Sequence, residues 1–109
     1  MALIAPTLAS ATGTLISPTA AAGGGDTFAP GDSVKFVVIN GGGSSITATF
    51  DSVAQSNFGT DEDTGGAVAA GATRIFGPFP ANRFANASTG LVAVTYSGVT
   101  SVTVYVLAN

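Results

Sequence analysis

The chain contains no cysteine and no histidine. Ser–His and Cys–His nucleophile–base pairs and the usual zinc sites therefore have no side chains to be built from. No disulfide can staple the fold, so stability must come from a sheet core or from assembly. Tryptophan is absent, and the two tyrosines, Tyr96 and Tyr105, both lie near the C-terminal end. The acids Asp26, Asp32, Asp51 and Asp61-Glu62-Asp63 thus have no tract of aromatic platforms beside them, as a glycoside-cleaving carboxylate pair would want. Neither an enzyme nor a cofactor is expected. Charge is scarce as well: Lys35, Arg74 and Arg83 against six acids make 8% of the residues, with a net charge of −3. An ordinary soluble domain carries about 25%. Without a basic patch to neutralise phosphates, nucleic acid is excluded as a direct partner. No apolar run reaches the ~18 residues of a membrane span, and the first residues lack the positive n-region of a secretory signal, with Pro6 interrupting them. Gly41-Gly42-Gly43 is not followed by the Lys-Ser/Thr of a phosphate loop.

What is present is β-pattern. In Gly90–Asn109, Val92, Val94 and Tyr96 fall on one face of a first run, and Val102, Val104 and Val106 on one face of a second. Alternation with a period of two marks half-buried strands. Directly opposed residues of an antiparallel pair share a face. A hairpin with a Ser97-Gly98-Val99 loop therefore pairs Val94 with Val102 and Val92 with Val104, with Gly98 supplying a positive φ. Upstream, Ala29-Pro30-Gly31-Asp32 suits a type II turn. Ser33–Ile39 is apolar on both faces, as in a central strand or one covered by a partner. Ser45–Val53 alternates with Ile46, Ala48 and Phe50 inward, and these two runs read as a second hairpin across Asn40–Ser44. Thr73–Pro80 holds two prolines in its second half, so it runs along an edge or leaves the sheet.

Between them, 55–66 is polar; its acid triplet lacks the EF-hand spacing and reads as a solvated loop tip rather than a calcium site. Asn86-Ala87-Ser88 matches the glycosylation acceptor pattern, which matters only in a eukaryotic secreted protein. With no long helix and no internal repeat, the expectation is an all-β fold. It is one antiparallel β-sandwich of about seven or eight strands, jelly-roll or immunoglobulin-like, over residues 26–109. Its expected core is Val34, Phe36, Val38, Ile46, Phe50, Ile75, Val92, Val94, Val102, Val104 and Val106.

Residues 1–25 differ. They carry no charge, a scatter of Leu3, Ile4, Leu8, Leu15 and Ile16, and the tail Ala20-Ala21-Ala22-Gly23-Gly24-Gly25. Such a composition cannot close its own core. It is expected to be an extended N-terminal arm. Leu3, Ile4, Leu8, Leu15 and Ile16, with Phe79 and Phe84 of the body, are its expected assembly contacts.

The order of features over about residues 25–107 resembles a group of small proteins of tailed bacteriophages that infect Gram-positive bacteria, actinobacteria especially. That order is Gly25-Asp26-Thr27-Phe28, a Gly-Asp turn, a strand ending in Asn40-Gly41-Gly42-Gly43, Ile-Thr-Ala-Thr-Phe, Val-Ala-Ala-Gly-Ala-Thr-Arg-Ile-Phe-Gly-Pro-Phe-Pro and Gly-Leu-Val-Ala-Val-Thr-Tyr-Ser. The genes of that group lie with the head genes, and the proteins are taken to be capsid decoration or minor capsid proteins. The resemblance implies a β-sandwich bound to the outside of an icosahedral head, with the major capsid protein as partner. It also implies self-association, often as a homotrimer, and a place on the virion. It carries over no catalytic residue. The alternatives are a carbohydrate-binding or adhesion β-domain on a virion or cell surface, with Phe58, Phe76, Phe79 and Phe84 as its only aromatic candidates, and a tail or head–tail joining subunit.

Overall fold

The computed structural model describes residues 2–4, 6–8, 11–13, 15–16, 18–51, 64–80, 84 and 90–108. Among these the chain forms ten strands: β1 (Ala2–Leu3), β2 (Pro6–Thr7), β3 (Thr19–Ala20), β4 (Asp26–Phe28), β5 (Lys35–Asn40), β6 (Ile46–Phe50), β7 (Thr64–Val68), β8 (Thr73–Phe76), β9 (Val92–Tyr96) and β10 (Val102–Leu107). They make two packed sheets, a β-sandwich. One has the order β1-β4-β9-β6-β7; the other has β2-β10-β5-β8, with β3 also on β10. Seven strands belong to the body after residue 25, and three come from the first twenty residues.

The inner faces follow the alternation. Phe28, Phe50, Ala48, Val92 and Val94 of the first sheet meet Phe36, Val38, Val102, Val104 and Val106 of the second, all essentially without solvent exposure. The core is graded along its length. At one end Phe28, Phe36, Phe50 and Phe79 stack with ring centroids 4.7–6.1 Å apart, and Phe84 packs edge-on against Phe79 at 5.1 Å. Tilted and edge-to-face pairs of this kind add about 0.5–1.5 kcal/mol each beyond the area they bury. The rest of the core is mostly valine.

Both expected hairpins are absent. β5 and β6 lie in different sheets, and so do β9 and β10. β10 pairs instead with β5 over its whole length, setting Val104 opposite Val38 and Val106 opposite Phe36, while β9 pairs with β4 and β6. Two consecutive strands that share an inward face can lie side by side or face each other across the core. Alternation is blind to the choice. The connections therefore arch between the sheets. At Ser97–Ser101 the residue with positive φ is Ser101 (57°), whereas Gly98 keeps an ordinary backbone.

Asn40, buried to 1%, builds the other arch. Its Nδ2 donates to the Ser44 and Val68 carbonyls at 2.8 and 3.0 Å, and its Oδ1 accepts from Gly42 N at 3.0 Å. Gly42 must be glycine there, because a Cβ would stand 2.8 Å from the Thr100 carbonyl of the neighbouring arch.

Two further expectations fail locally. The turn near Pro30 is displaced to Gly31–Val34, closed by Val34 N to Gly31 O at 3.3 Å, and Gly31 has no positive φ. Gly31 instead bridges Phe79 in both directions (2.8 and 3.3 Å), and this bridge carries Phe79 into the core. Ile75 is not a core residue: it is 60% exposed. β8 ends before the cis Gly77–Pro78 bond at the edge of its sheet, with Phe76 opposite inward Phe36 and Ile75 opposite outward Val37. The inward positions of this edge strand are thus taken by Arg74 and Phe76. Arg74 lies over the Phe76 ring at 5.1 Å and donates to the Ala67 carbonyl at 2.9 Å, tying β8 to β7.

Candidate assembly surface

Each strand that buries one face presents the other, and the two sheets present different chemistry. Across the first sheet the outward rows read Leu3–Thr27–Ala93, Thr95–Thr49–Gly65 and Thr47–Ala67. Across the second they read Thr103–Ile39–Thr73, Tyr105–Val37–Ile75 and Leu107–Lys35. Val37 has no exposed surface, although it points away from the core cluster. It sits in the middle strand between Tyr105 and Ile75, within an outward face that carries one charge, Lys35. The doubly apolar character of 33–39 in the sequence thus arises from a central strand with an apolar outward neighbourhood.

The expected contact residues separate into two groups. Ile4, Phe79 and Phe84, only 4%, 2% and 5% exposed, lie in the chain's own core and are not offered at its surface. Ile4 is held there by its backbone N–H on the Thr27 carbonyl at 2.8 Å, between β1 on one sheet and β2 on the other. Leu3, Leu8, Leu15 and Ile16 are exposed, at 65%, 58%, 89% and 45%. A period-of-two reading cannot separate these groups in a segment without regular alternation.

Asp26 and Tyr96, which residue order did not bring together, form a hydrogen-bonded polar pair. Asp26 is fully buried on β4; its Oδ2 accepts from Tyr96 Oη at 2.7 Å and from Ala22 N at 3.2 Å, and its Oδ1 has no partner. A buried carboxylate is costly unless hydrogen-bonded. Burial, and then the adjoining Asp26 carboxylate, push the Tyr96 phenol far above its usual range, so Tyr96 stays a donor. The pair fastens the return of the N-terminal segment, and no second acid–base partner stands beside it among the described residues.

Two depressions flank these elements. One, of about 490 Å³, is lined by Arg74, Phe76, Pro78, Phe79, Pro80 and Phe84 among others. Phe79 and Phe84 are themselves buried, and half-buried Phe76 lies under the Arg74 guanidinium. The other, of about 360 Å³, lies between the two arches and is lined by glycine, serine and threonine with Ile46. Among the described residues no group of three His, Cys, Asp or Glu could hold a metal, and no helix is long and apolar enough to cross a membrane. Phe58, Asp61-Glu62-Asp63 and Asn86-Ala87-Ser88 lie outside the described residues.

No family model, curated protein or solved structure matches the chain. The functional reading therefore stands on surface chemistry and on the resemblance given above.

Proposed function

We propose that the chain is a structural virion subunit that decorates the exterior of a tailed-phage head and works by contact area, not by catalysis. Its partners are the major capsid protein and further copies of itself, as a homotrimer. The observation that carries the reading is the outward face of the β10-β5-β8 sheet, where exposed Ile75 and half-buried Ile39, Tyr105 and Leu107 lie around buried Val37 in apolar rows across three strands. Exposed apolar patches rimmed by polar residues mark association surfaces in soluble proteins. The resemblance over residues 25–107 names the kind of assembly.

A subunit that binds only the assembled shell stabilises it by mass action. With so few charges, apolar contact and backbone hydrogen bonds carry the binding, so it resists salt that screens exposed ion pairs. The test compares heads with and without the protein after a high-salt wash, following DNA release on heating. Decorated heads are expected to release DNA at a higher temperature. Copies confined to one vertex would make it a joining subunit, and retention on cell-wall glycans without affinity for heads would make it a surface-binding module.

A further inference from the structure

The edges of the sandwich on one side, β4 in one sheet and β10 in the other, are covered by the chain's own β1, β2 and β3. β1 lies parallel to β4 with Ala2 opposite Asp26, and β2 lies parallel to β10 with Thr7 opposite Leu107. β3 returns antiparallel on β10 with Ala20 opposite Thr103. Uncovered, those edges would offer rows of unpaired backbone groups to another chain. The cover is slight, since each of the three strands is two residues long, against six in β10 and β5.

Two other features single this cover out. First, it leaves Leu3, Leu8, Leu15 and Ile16 exposed; apart from Ile75 these are all the exposed large hydrophobic residues described. Second, it joins the body through a hinge. Gly25 N bonds to Ala22 O at 3.0 Å, Gly25 has φ 96°, and a Cβ on Gly23 or Gly24 would meet nothing. Asp26, which fastens the return through Ala22 N, belongs to the body strand just past this hinge. Twenty residues at ~3.3 Å each span up to about 65 Å, against a domain 37 × 36 × 22 Å.

We propose that this arm is exchanged between copies: β1, β2 and β3 of one chain pair with β4 and β10 of a second copy, in the registers that the single chain shows. The partner fits by construction, because every contact made within a chain is available between chains. Exchange keeps Ile4 in a core, and the four exposed arm residues gain cover only where the two joined bodies meet. Crowding of copies in any assembly raises the effective concentration that drives it. The exchange needs only copies held close together, and it stands whether or not the lattice that gathers them is a phage head.

The test uses the protein alone and the absence of natural cysteine. Ala20→Cys and Thr103→Cys are made as separate variants, mixed at high concentration and oxidised mildly. Opposed antiparallel positions lie within disulfide reach. The expected result is a covalent dimer with a mapped bond between positions 20 and 103, in excess over the dimers either variant forms alone. Deleting Gly23 and Gly24, which shortens the hinge, should raise the dimer fraction of the otherwise unmodified chain several-fold. No mixed bond, with the doubly substituted chain closing only on itself at every concentration, overturns the proposal. So does a hinge-deleted chain that stays monomeric at every concentration.

Discussion

The two sheets are alike inside and unlike outside. Inward, both offer phenylalanine and valine in alternate positions, which is all that closing a sandwich requires. Outward, the body strands β4, β9, β6 and β7 of the first sheet show threonine and alanine, with Leu3 of β1 beside them, and the β10-β5-β8 sheet shows isoleucine, valine, tyrosine and leucine. Threonine suits a strand face exposed to water, since its branching favours the pleat and its hydroxyl satisfies solvent. On the opposite surface Ile75 and Tyr105 flank Val37, which has no exposed surface. On the proposed reading the difference serves association, and it can be probed without disturbing the core.

The largest effect should come from the inner faces, on either side equally. Phe36→Ala or Phe28→Ala is expected to destabilise by about 3–5 kcal/mol in denaturant titration. A much smaller loss at one of them would mean that the aromatic end is not shared between the sheets. Next comes the polar pair: Tyr96→Phe removes a donor from the buried Asp26 carboxylate and should cost about 1–3 kcal/mol by the same measurement.

The pair also gives a pH dependence whose sign follows from the raised phenol. In the unfolded chain Tyr96 ionises near its ordinary value of 10.0, while in the folded protein burial and Asp26 keep it protonated. Its stabilising contribution is thus complete below about pH 10 and declines as the pH rises above it. Unfolding curves from pH 8 to 11 should show the decline in the native chain and a weaker one in Tyr96→Phe.

The smallest effects on folding separate the outer faces. Ile75→Thr and Thr95→Ala should each change stability by no more than about 0.5 kcal/mol, as exposed substitutions usually do. Only Ile75→Thr should weaken head binding in a co-sedimentation assay. Equal loss from both would dissolve the contrast between the faces.

Much of this architecture is legible in residue order, for a definite reason. Val34, Phe36, Val38, Ile46, Phe50, Val92, Val94, Val102, Val104 and Val106 are buried as their alternation implies, because a pleated strand turns every second side chain to the same face. The error at Ile75 shows the limit. In a short edge strand, residue type outweighed parity, and the inward places went to Arg74 and Phe76, which can use the open edge. The contact residues were less legible still. Ile4 and Leu3 are neighbours of like character, and only the crossing from β1 to β2 sends one inward and leaves the other outside.

By itself, then, the sequence determined an all-β chain without the side chains for Ser–His or Cys–His pairs or for thiolate and imidazole metal sites, and it determined most of the positions of the body strands that face inward, Ile75 excepted. Which strand pairs with which was decided only in three dimensions. Val94 and Val102 meet the same core from opposite sheets, because facing across the interior satisfies their shared parity as well as a hairpin does, and Asn40 and the glycines beside it shape one of the arches that such a crossing needs. The buried Asp26–Tyr96 pair and the outward row Tyr105–Val37–Ile75 likewise join residues far apart in the chain, and no local pattern records a neighbour that only folding supplies.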